Sequence, residues 1–65
     1  MSANESLGRA QELAERLRSK LDDLERLAGA GDVDAAVDDL AEIAELAKQV
    51  EAEVQRARAI ADAGA

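Results

Sequence analysis

LGRAQELAERLRSKLDDLERLA, residues 7–28, is the stretch that decides the fold. Apolar residues recur in it at Leu7, Ala10, Ala14, Leu17, Leu21, Leu24 and Ala28, with gaps alternating three and four. That rhythm keeps one row of side chains on one face of a helix, whereas a strand would alternate every two residues. Leu7, Ala14, Leu21 and Ala28 take the a positions of a heptad, and Ala10, Leu17 and Leu24 the d positions. Beyond the glycines the same rhythm returns at Val33, Ala36, Leu40, Ile43, Ala47, Val50, Val54, Ala57 and Ala61. All sixteen of these positions are apolar. The expectation is an all-α antiparallel two-helix hairpin, with helices at about 3–28 and 33–62, forming a single domain over 1–65.

The helix ends carry their own signals. Ser2-Ala3-Asn4-Glu5 suits a capping box, in which Ser2 and Glu5 each serve the other's backbone N–H, with Asn4 as a competing cap two residues on. Ala28-Gly29-Ala30-Gly31-Asp32 is the one break. Gly29 is expected in the left-handed conformation that closes a helix, Gly31 gives freedom to reverse, and Asp32 caps the second helix. A connection of about four residues makes the helices antiparallel neighbours. Counted from the turn, Leu21 then faces Leu40, Leu17 faces Ile43, Ala10 faces Val50 and Leu7 faces Val54, with Leu24 also in the seam. Lys20 should reach Asp39 across the flank.

More apolar residues lie beside this seam than two helices cover. Leu13, Leu27, Leu46 and Ile60 occupy the g positions as a second stripe, and Val37 widens the apolar surface near the turn. Burying each large side chain is worth about 1.5–3 kcal/mol. Ordering costs roughly 1.5 kcal/mol per residue, so a solitary hairpin is marginal. The stripe therefore predicts dimerisation into a four-helix bundle, with a second copy or another helical protein as partner. On this assignment Leu46→Glu dissolves the oligomer, and Leu17→Glu unfolds the hairpin.

Composition narrows the function classes. The chain has 65 residues, 48% apolar, 35% charged and 0% aromatic, with no Pro, Cys or His. Only 15 of its 31 apolar residues are larger than Ala, so its core depends on close helix approach. His, Cys, Tyr, Thr and Trp are all absent, which removes the usual general bases, activated nucleophiles and aromatic platforms. A non-enzymatic role is expected, with no cofactor. Asp32-Val33-Asp34 opens like a calcium loop, but Ala36, Val37 and Ile43 stand where a ligand, the turn glycine and the bidentate Glu belong. A di-iron bundle needs Glu-x-x-His motifs, and the chain has none.

The net charge of −7 opposes direct nucleic-acid binding. The first helix contributes −1 of that charge, and the second with its cap −6. Membrane-surface binding calls for a basic polar face with bulky aromatics at its edge, and the second helix offers the reverse. No apolar run approaches the ~18 residues of a membrane span, and the first residues do not read as a signal peptide. A cytoplasmic location is the expectation.

Leu24-Glu25-Arg26-Leu27, then Gly31-Asp32-Val33, then Asp38-Asp39-Leu40 set a leucine-rich helix end before a Gly-acidic turn and an acidic second helix. Over about residues 21–57 this pattern resembles the small subunit of exonuclease VII. The resemblance implies a short helical hairpin that accompanies a catalytic large subunit. The family's aromatic residues and its glycine in the middle of the second helix have no counterpart here.

Overall fold

The computed structural model describes residues 2–64. Two helices, α1 (Ala3–Ala30) and α2 (Val33–Ala63), run antiparallel in a rod 51 Å long. Both helices follow the expected periodicity, each running slightly past its expected end. Ser2 opens α1, its hydroxyl oxygen accepting the Glu5 backbone N–H at 3.1 Å. The Glu5 carboxylate meets that hydroxyl at 3.4 Å. Asp32 opens α2 by accepting the Ala35 N–H at 3.2 Å.

The turn is tighter than the glycines suggest. α1 continues through Gly29, and Gly31 takes the left-handed conformation, with φ 78°. The Gly31 N–H donates to the Ala28 carbonyl at 3.1 Å and the Asp32 N–H to the Leu27 carbonyl at 3.0 Å. These two bonds make a Schellman closure, which places its left-handed residue directly before the residue that caps the next helix. Asp32 is that cap, so the geometry selects Gly31 over Gly29. The connection is therefore Gly31 and Asp32 alone.

Opposite effects are expected at the two glycines. A Cβ at Gly29 meets nothing within 4 Å, and the residue is helical. Gly29→Ala should raise stability by about 0.5–1 kcal/mol. Gly31→Ala forces a side chain into left-handed backbone and should lower it by about 1 kcal/mol. Thermal melts of the two variants check the pair.

Cross-helix ion pairs set the register. Lys20 Nζ lies 3.3 Å from Asp39 Oδ1, as expected from the count, and also pairs with Glu42. Further from the turn, Arg9 Nη1 lies 3.8 Å from Glu53 Oε1, and Arg56 Nη1 lies 3.1 Å from the same oxygen. Partner residue numbers add to about 60 along the rod, the register of an in-line hairpin.

Which rows meet is different from the expectation. The helices face each other through Ser6, Ala10, Leu13, Leu17, Lys20, Leu24 and Leu27 on α1, which are buried or half-buried. On α2 the matching set is Ala36, Asp39, Ile43, Leu46, Val50, Glu53, Ala57 and Ile60. Leu17, Leu24, Ile43 and Val50 thus lie in the seam as expected. Leu13, Leu27, Leu46 and Ile60, expected on an outer stripe, lie in it too. Leu7, Leu21, Leu40 and Val54, expected inside, lie outside.

The physical reason is the width of the apolar sector. It spans three adjacent rows: Leu13's, the shared row of Leu17 and Ile43, and Leu7's. One neighbouring helix covers about two of them. The hairpin covers the first two, and in that rotation Asp39 and Glu53 lie buried in the seam beside Lys20 and Arg9.

Candidate association face

The rotation leaves one long side of the hairpin apolar. Leu7 is 50% exposed, Leu21 45%, Val33 69%, Val37 57%, Leu40 50% and Val54 36%. Ala14, Ala28, Ala44, Ala47 and Ala61 continue the same rows and are exposed. In an antiparallel pair that meets through these seam rows, the Leu7 row of α1 and the Leu40 row of α2 emerge on the same side. Four successive levels run along the face: Leu7 with Val54, Ala14 with Ala47, Leu21 with Leu40, and Ala28 with Val33 near the turn. Val37, expected on the association surface, belongs to this face.

The opposite side mixes charged and apolar side chains. A groove there is lined by Arg9, Leu13, Arg16, Gln49, Glu53 and Arg56. A second groove, further toward the turn, is lined by Arg16, Ser19, Lys20, Glu42, Glu45 and Leu46. Scattered exposed apolar residues are ordinary on protein surfaces, whereas these form a contiguous row along one side, which makes that side the candidate face.

Inside the seam the apolar levels alternate with charged ones. Asp39 and Glu53 are buried, and Ser6 is fully so. Each carboxylate meets a cation through one oxygen, whereas Asp39 Oδ2 and Glu53 Oε2 are buried without a hydrogen-bond partner among the described residues. Buried half-satisfied carboxylates weaken a seam while fixing its register, since any slip separates Asp39 from Lys20 and Glu53 from Arg9. Sequence reading places Lys20 and Asp39 on the flank, so the charged levels of the seam went unrecognised. Their signal is positional: Lys20 and Asp39 sit one heptad from Leu13 and Leu46, at matching heights.

Hydrogen bonds to Glu42 and then Asp39 raise the Lys20 pKa above its ordinary value. A base whose pKa rises on folding contributes its stability in full below its unfolded value and loses it as pH climbs through the folded one. Melting temperature should hold through neutral pH and fall as pH rises beyond about 10.5. Lys20→Met should remove the Lys20 share of that alkaline loss, as read from paired melts in alkaline buffers.

Among the described residues, no group of three or more Asp and Glu could hold a metal ion. Likewise, no helix among them is long and apolar enough to cross a membrane. No protein-family model, curated protein or solved structure matches the chain.

Proposed function

We propose that the protein is a non-catalytic association module whose work is helix–helix packing. The observation that carries this reading is the exposed row of Leu7, Leu21, Leu40, Val54, Val33 and Val37 along one side of the rod. A second copy laid on that side completes a four-helix bundle with coiled-coil-like packing. It covers the third apolar row, which one partner helix leaves open. The half-buried residues Leu17, Leu24, Ile43 and Val50 lie between the two contacts and serve both.

Covering the face links folding to association. Melting temperature should therefore rise with protein concentration, because a folded dimer is favoured by mass action. A transition independent of concentration over a hundredfold range would contradict the reading.

A second reading rests on the turn. Gly31 closes α1 and Asp32 caps α2, within the Gly-acidic element that resembles the exonuclease VII small subunit. In that reading the same face clothes a helix of a large nucleic-acid enzyme, with this chain as its accessory subunit. The occupant alone distinguishes the two readings.

A further inference from the structure

We infer that the occupant of the apolar face is a second copy of this chain laid end-for-end, its turn beside the first copy's open end. This orientation rests on the association reading and adds to it the partner's direction and register.

The four levels of the face alternate in bulk. Leu7 with Val54 and Leu21 with Leu40 are large, Ala14 with Ala47 is small, and Ala28 with Val33 is mixed. Two copies docked in the same direction set like levels together. Four alanines then form one layer and four leucines the next, so the interface gapes at one level and is overfilled at its neighbour.

End-for-end docking removes this mismatch. A two-fold axis at the height of Leu17, midway between the Ala14 and Leu21 levels, sets Leu21 and Leu40 against the partner's Ala14 and Ala47. It sets Leu7 against the partner's Ala28, and Val54 against the partner's Val33. Each α1 contact and the Leu40–Ala47 contact then set large beside small, the interdigitation that a close-packed core needs, while Val54 meets Val33 of equal size.

Away from the axis, the neighbouring row follows the same rule. Ala10 falls level with the partner's Leu24, and Ala36 with the partner's Val50. Leu17 and Ile43 sit at the axis and meet their own copies. This register also leaves the turn of each copy nearly flush with the first turn of the partner's α1, so α1 overlaps its copy along almost its whole length and α2 overlaps its copy over 33–54.

The rod is 14 Å across, and about 33–38 Å of its length is shared in this register, a contact at the small end of the range for specific interfaces.

Ala30→Cys, carrying a nitroxide spin label, tests the orientation by pulsed electron–electron distance measurement. Ala30 is exposed at the end of α1 next to the turn. At 1.5 Å per residue, end-for-end docking about the Leu17 level separates the two labels by about 35–40 Å. A distance under about 20 Å means same-direction docking, and one near about 50 Å moves the axis to the Ala14 level; either overturns this inference while leaving association intact. Absence of any coupling between chains at 100 μM label would overturn the association reading itself, and this inference with it.

Discussion

Leu46→Glu should abolish the folded state: helical circular dichroism collapses at 25 °C and no cooperative melt remains. Leu46 is half-buried between the helices, at the height of Leu13. It lies one heptad from Asp39 on one side and one heptad from Glu53 on the other. A third carboxylate there makes an unbroken acidic row in the seam, with Lys20, Arg9 and Arg56 already engaged. Losing a large apolar side chain from a packed site costs about 2–5 kcal/mol before the charge is counted. A chain this short has no more than about 3–5 kcal/mol to lose. Leu17→Glu should behave in the same way, because Leu17 shares the seam. A Leu46→Glu protein that kept its helical signal and its melt would show that the helices meet through a different row.

Leu40→Glu should have the opposite phenotype, with helices retained at 5 °C and the assembly gone. Half of Leu40 is open to solvent in the hairpin, and no cross-helix ion pair depends on it. In a two-fold assembly each substitution enters twice. Two buried leucines at about 1.5–3 kcal/mol each amount to a 100-fold to 10,000-fold loss of affinity. Size analysis should give a single 6.8 kDa species. Adding Leu21→Glu brings four carboxylates to adjacent levels and should leave no associated fraction at millimolar concentration. A Leu40→Glu protein that remained associated would remove this face from the interface.

The contrast between these variants reverses the expectation from sequence, in which Leu46 belongs to the assembly and the Leu40 row to the hairpin. Two helices, their caps at Ser2 and Asp32, their direction and the Lys20–Asp39 height were all legible, because each depends on local spacing. The rotation of the helices about their axes was not. An apolar sector three rows wide permits two seams, and the row of Leu7 and Leu40 is uninterrupted by polar residues, so it looks the better core. The row of Leu13 and Leu46 is broken by Ser6, Lys20, Asp39 and Glu53. Those breaks read as surface until their heights are compared: Lys20 lies opposite Asp39, and Arg9 reaches Glu53 from the side. The observed rotation buries Asp39 and Glu53 beside Lys20 and Arg9, whereas hydrophobicity alone points the other way.

The same logic explains the glycines. Gly29 and Gly31 both look able to close α1, but only Gly31 stands directly before a capping residue. A closure that runs straight into the next helix requires that adjacency.

Light scattering coupled to size separation, on the unmodified chain at micromolar concentration, bears most directly on the exposed row. A species of twice the 6.8 kDa chain mass is the expected result. A fully helical, cooperatively melting protein at the single-chain mass would mean that Leu7, Leu21, Leu40 and Val54 rest in water on a stable molecule, and the association face would have no occupant.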